Sequence, residues 1–199
     1  MPASWPTVED VRPLMDMTAL VVPDTVLLAS LQAGVTIFER GTGYKPYIAE
    51  GSTSDQYASP SDCLGGLLRL PVACYTVTAV RVGLSSTDTT GTLLVENEGY
   101  WLEPLGSDHV NYIRLNALPS GGWRSIKITG RKGRATTVPD DAWTAIVNYA
   151  IARGQSLVTG GAAEISQGPV RLAFSGGVQG PVRAAESELA AAIARHKRP

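Results

Sequence analysis

The densest run of chemically capable side chains is GRKGRATT, Gly130–Thr137, directly before a stretch with helical spacing. Two glycines interleaved with Arg131, Lys132 and Arg134 raise the question of a phosphate cradle. Such a loop needs the pattern G-x-x-x-x-G-K-[ST], in which backbone amides wrap the phosphate and the lysine reaches it. Here the glycines are three positions apart, Lys132 precedes the second one, and no Gly-Lys-Ser/Thr occurs anywhere in the chain. The pattern fits a handover better: a strand ending at Thr129, a flexible basic loop, then a capped helix. The three cations then form a solvated loop, with contact to an acidic partner surface or a DNA backbone as the alternative.

No other group converges on catalysis. His109 stands beside Asp108 and His196 lies in a basic tail, and neither has a ligand-like neighbour four residues on. Cys63 and Cys74 do not form a CxxC pair, so the sequence predicts no metal site. No serine sits in a G-x-S-x-G elbow. Ser120-Gly121-Gly122 and Ser175-Gly176-Gly177 read as turns. Asp140 and Asp141 are adjacent, and adjacent residues on a helix do not face each other; they suit the positive end of a helix dipole instead. No dinucleotide fingerprint is present. The reading is a protein that is not an enzyme and takes no cofactor.

Composition narrows the remaining classes. A net charge of −1 gives no global field to recruit nucleic acid or a membrane. No apolar run approaches the ~20 residues that span a bilayer. The opening MPASWPTVEDVRPLM has no basic start leading into an apolar core, which points away from a secretory leader and towards the cytoplasm. In that compartment the two cysteines are expected to be reduced packing residues. With 21 Gly and 13 Pro among 199 residues, many turns are expected.

The elements follow in order. Thr7–Leu14 reads as a short helical turn capped by Thr7, with Glu9 and Asp10 in its first turn. Pro23 and Asp24 open a stronger helix in which Val26, Leu27, Leu31, Val35 and Phe38 form one apolar stripe. Gly41 is its expected stop. Gly34 inside it costs about 1 kcal/mol relative to Ala, a loss that close packing would offset. From Tyr44 to about Gly130 the pattern is that of strands. Thr76–Leu84 alternates, Asn97–Gly99 reads as the turn of a hairpin placing Tyr100 and Trp101 on opposite faces, and NYIRLNAL and WRSIKITG add two strands. Asp140–Arg153 is a helix with Trp143, Ile146, Val147, Ala150 and Ile151 on one face, capped by Thr136 or Thr137 and ended by Gly154. Leu157–Gly180 is rich in Gly and small residues and offers little to bury. A last helix after Pro181 has only the thin stripe Val182, Leu189 and Ile193, which suggests an arm that docks on a partner. The basic ARHKRP end reads as cations stabilising a helix C-terminus, or as a contact for an acidic partner or DNA.

The predicted fold class is α+β. Residues 1–42 and 131–155 form a helical core, with Val26, Leu27, Leu31, Trp143, Ile146 and Val147 at its centre. A mainly antiparallel β domain, 43–130, is inserted between them, and 156–199 is a Gly/Ala-rich extension ending in the helical arm.

The order of these parts resembles the head-tail connector (adaptor) proteins of tailed bacteriophages and of related gene transfer agents. The resemblance rests on LRLP at Leu68–Pro71 followed by Val77–Val80, on the aromatic GYWLEP, and on the run from Trp123 through ITG and VPDDAW to Ile146. It covers roughly residues 20–155. It implies a structural virion protein of the neck between head and tail, made in the host cytoplasm. Such proteins form a ring, twelve-fold in the family, beneath the portal protein. They join it to the tail or a stopper and pass DNA through the lumen without sequence specificity. The helix Pro139–Arg153 would match the family's helical core. The arm, with Val182, Leu189, Ile193, Arg195, Lys197 and Arg198, would face the portal, and Arg131, Lys132 and Arg134 would be a lumen or partner loop. The long Gly/Ala-rich stretch before the arm departs from the family pattern. Two other readings stand beside this one: a head-closure or tail-completion protein, and, from a different class, a small DNA-binding module using Arg131, Lys132, Arg134 and the ARHKR tail.

Overall fold

The computed structural model describes residues 4–15, 22–85, 90–105, 109–117, 122, 124–159, 164–167, 170–173 and 179–197. The fold is α+β. Along the chain come α1 (Val8–Val11), α2 (Asp24–Thr42), β1 (Ser54–Ala58), β2 (Cys63–Leu64), β3 (Leu67–Val82), β4 (Thr92–Leu93), β5 (Tyr100–Glu103), β6 (Val110–Leu115), β7 (Ile126–Lys132), α3 (Asp140–Thr159), β8 (Glu164–Gln167), β9 (Val170–Ala173) and α4 (Gln179–His196). The chain divides into two compact units, Met1–Gly43 with Thr137–Pro199, and Tyr44–Thr136.

The helical unit is held by a buried apolar face from three long helices. α1 begins with a capping box, in which Thr7 N–H donates to Asp10 and the Asp10 N–H donates back to the Thr7 hydroxyl. Leu27, Leu31 and Phe38 of α2 are buried, as the 3.6-residue period predicts, while Val26 and Val35 are half-buried. A Cβ on Gly34 would lie 3.2 Å from both Ile146 and Tyr149, so its small size lets α2 and α3 approach closely. α3 buries Ile146 and Val147 together with Ala142 and Tyr149; Trp143 is half-buried.

Two expected helix ends lie further along the chain. α2 does not stop at Gly41 but at Gly43, whose left-handed φ of 79° lets its N–H cap the carbonyls of Glu39 and Arg40. Gly41 is instead a packing position, because a Cβ there would lie 2.7 Å from Ile193 of α4. Likewise α3 runs through Gly154 to Thr159; Gly154 is buried and a Cβ on it would sit 3.2 Å from Val22.

The last helix is corrected more deeply. Its thin stripe is not left for a partner to cover. Leu189 is 2 % exposed and Ala185 and Ala192 are buried, all within the helical unit. The alanines, which look neutral by hydropathy, allow the close approach that buries Leu189.

The β unit is a sheet in the order β1-β7-β3-β6-β5, with β2 and β4 also paired to β3, antiparallel throughout. β3 is its spine: the first half pairs with β6 and the second with β7. Leu68 and Leu70 from the first half share one core with Val80 from the second and Ile126 and Ile128 of β7. Pro71 supplies no N–H, and the ladder to β6 breaks its register between Arg69 and Cys74. The buried side chain of Gln56 repairs the gap. It accepts from Val72 N–H (2.9 Å) and donates to Val72 C=O (3.0 Å), as a neighbouring peptide would. The expected hairpin is also revised. Asn97, with φ 66°, does sit in a tight turn, closed by Gly99 N–H to Val95 C=O. The flanking runs, however, share only the single bridge Glu96–Tyr100 and form no ladder with each other: β4 joins β3 and β5 joins β6. Tyr100 is buried and Trp101 half-buried, as alternation requires.

Candidate partner-binding surfaces

The GRKGRATT stretch is ordered by the β unit, not free. β7 continues past Thr129 to Lys132, three residues beyond the expected end. A Cβ on Gly130 would lie 2.3 Å from the Thr76 carbonyl oxygen, so this glycine permits β7 to close on β3. Gly133 has φ 120° and would clash with Ala49 if it carried a side chain. Its N–H donates to Ala73 C=O, while Arg134 and Ala135 N–H both donate to Tyr47 C=O. Those amides therefore serve the fold and cannot wrap a phosphate. Arg134 donates to the Tyr47 hydroxyl (2.8 Å) and lies over the rings of Tyr44 and Tyr47. Arg131 donates from Nε to Glu50 C=O (2.9 Å) and lies over Tyr75. Lys132 is half-buried. The flexible solvated loop of the sequence reading is a strand end stitched to Tyr47–Glu50, because its cations and amides find partners distant in sequence.

His109 belongs to the same neighbourhood. Its Nε2 lies 3.0 Å from the Tyr44 hydroxyl and its ring meets Tyr44 edge-on. Cys63 and Cys74 are free thiols, Cys74 buried and bonded to Gln56 Nε2. Burial, and then the neighbouring charge of Asp62, push the Cys63 thiol up, which suits packing and not reactivity. Among the described residues no group of three His, Cys, Asp or Glu could hold a metal ion, and no helix is long and apolar enough to cross a membrane.

The second surface lies on α3 and α4. The two helices run antiparallel, since Asp141 at the start of α3 meets the end of α4 and Asn148 further on meets Glu188 (2.9 Å). Asp141 takes Arg195 Nη1 at 2.6 Å and His196 Nε2 at 3.0 Å. Burial alone would raise its carboxyl, but the bonds from His196 and then Arg195 outweigh it and hold the group below the usual carboxylate range. A shallow groove beside this cluster is lined by Asp140, Thr144, Asn148, Glu188 and Arg195 over a floor of alanines.

The six arm residues therefore separate. Leu189 is core, Ile193 packs on Gly41, and Val182 is half-buried. Arg195 and Lys197 are exposed, with Arg195 tied to Asp141. Arg198 lies outside the described residues, as do Trp123, Asp108, Ser120 and Ser175–Gly177. Sequence reasoning did not find Asp141 as the partner of the basic helix end; the antiparallel return of α4 was the missing fact.

No family model matches the chain, and no curated protein matches it. Among solved structures it is similar to a chain of a structure described as "Virion of native gene transfer agent (GTA) particle". That match covers 92% of this chain and 90% of the other, with TM-score 0.52 and 19% identity. It is also similar to a chain of "Neck of native GTA particle computed with C12 symmetry", over 89% and 86%, with TM-score 0.49 and 21% identity. At 19% identity the first likeness is one of fold.

Proposed function

We propose that this chain is a structural protein of a virion neck, an adaptor of the head-tail connector type that assembles into a ring. The observation that supports it is the shared fold with a chain of a gene transfer agent virion across nine-tenths of both chains. That span is longer than the part, roughly residues 20–155, on which the sequence resemblance rests. In this reading the subunits repeat around a channel that passes DNA, twelve to a ring, one rim on the portal and the other towards the tail or a stopper. A closed ring gives each subunit two copies of one contact, so modest surfaces add up to a stable assembly.

The portal-facing role then falls to the exposed end of α4, with Arg195 and Lys197, and not to Leu189, which is inside. Co-sedimentation of the full chain with a purified portal ring tests this. The parent chain is expected to pellet with the ring, and Lys197→Glu to pellet less. A chain that ignores portal rings under all salt conditions would remove the adaptor reading.

A further inference from the structure

The outer face of β1, β7 and the second half of β3 carries a concentration of cations, of which Arg81 reaches the Thr90 and Gly91 carbonyls from Nη1 (3.4 and 3.5 Å) and Arg131 the Glu50 carbonyl from Nε (2.9 Å). β7 alternates: Ile126, Ile128 and Gly130 are buried, while Lys127, Thr129 and Arg131 face outward. Direct cross-strand partners share a face. Tyr57, Lys127 and Arg81 thus form one row, Asp55, Thr129 and Ala79 the next, and Arg131 stands beside Thr76. Arg124 extends the stripe past the start of β7, its guanidinium lying 4.9 Å over the ring of Tyr57. Arg131 is laid over Tyr75 in the same way. Stacking uses the flat face of a guanidinium, not the in-plane N–H groups that bond phosphate oxygens. Among the described residues, Asp55 bonds Lys127 (2.8 Å) and Thr129 (2.7 Å) on this face, and Glu50 accepts from Ser54.

We infer that this sheet face is a binding surface for the sugar-phosphate backbone of duplex DNA, formed by Arg81, Arg124, Lys127 and Arg131 and restrained by Asp55. Spacing favours a duplex over a small anion. Lys127 and Arg131 are four residues apart on one strand, about 13 Å, close to the ~12 Å width of the major groove. The two can meet phosphates on opposite sides of one groove. The stripe reads no bases, so the binding is independent of sequence and sensitive to salt. Asp55 sets its strength: its bond to Lys127 competes with phosphate for the same ammonium. The surface belongs to the single chain and does not rest on the ring reading.

The test is fluorescence anisotropy of a labelled duplex of about 20 base pairs with the full chain, titrated between about 50 and 200 mM salt. Four phosphate contacts predict a slope of log K against log salt of about −3 to −4. Arg81→Gln with Arg124→Gln and Lys127→Gln should bring the slope to about −1. Asp55→Asn should act in the opposite direction and tighten binding severalfold. Thermal melts matching the parent establish that the variants fold. Several results would overturn the inference: no binding at the lowest salt, a slope unchanged in the folded triple variant, or weaker binding by Asp55→Asn. So would tighter binding to poly-glutamate than to the duplex, or self-association at low salt, lost in the triple variant, in place of DNA binding. A chain that binds duplex yet forms no ring, or forms a ring yet binds no duplex, separates this inference from the adaptor reading.

Discussion

Leu189→Ala distinguishes a helix that is part of the core from an arm that waits for a partner. Leu189 is 2 % exposed between the flanking buried alanines Ala185 and Ala192. Truncation to Ala removes about three carbon groups at about 0.8 kcal/mol each, near 2.4 kcal/mol of transfer. The residual cavity adds to this, and buried Leu→Ala changes fall between about 2 and 5 kcal/mol. We expect about 3 kcal/mol, which is more than a hundredfold in the folding equilibrium and about 6–12 °C in Tm for a chain of this length. The assay is urea denaturation followed by far-UV circular dichroism, with Ser187→Ala on the exposed side of α4 as control. The control should stay within about 0.5 kcal/mol of the parent. A Leu189→Ala chain as stable as that control would refute the placement of α4 in the core.

Other predictions follow from single contacts. Asp141 has a folded pKa held below its unfolded value, so its contribution is present above about pH 4 and is lost as pH falls through the folded value. Asp141→Asn should flatten the acid limb of a stability profile between about pH 5 and 2, and its effect near neutrality should be below about 1 kcal/mol because Arg195 is exposed. Gln56→Leu leaves the Val72 N–H and C=O without their side-chain partner; it should destabilise the β unit by about 1–3 kcal/mol and speed hydrogen exchange at the Val72 amide. Gly133→Ala adds a Cβ 2.5 Å from Ala49 at φ 120° and should prevent the β unit from folding, whereas Gly51→Ala, with open space around it, should not; near-UV circular dichroism and melting report both.

Legibility followed the range of each interaction. The stripe of α2 and the buried face of α3 were visible because a 3.6-residue period over about twenty residues is a local signal. The capping box at Thr7 is equally local. What the sequence hid was set by distant partners. Gly41 and Gly154 look like helix stops, yet their missing Cβ atoms make room for Ile193 and Val22. β1, SDQYA, has no β-branched residue and becomes a strand through its ladder to β7. The run around Val95 looks like one arm of a hairpin, but its strand belongs to β3. Arg131 and Arg134 read as a loose basic loop because Glu50, Tyr44 and Tyr47, about eighty residues earlier, were not known to lie beside them. The basic sheet face was hidden for the same reason, since Arg81 and Lys127 meet only once β3 and β7 are in register.

Whether this chain builds a ring of a virion neck, as proposed, is decided by native mass spectrometry of the full chain, alone and after mixing with a portal ring. We expect either a closed ring of identical subunits or a portal ring carrying a full, stoichiometric complement of the chain. A species that remains monomeric at every concentration and adds nothing to the mass of the portal ring would contradict it.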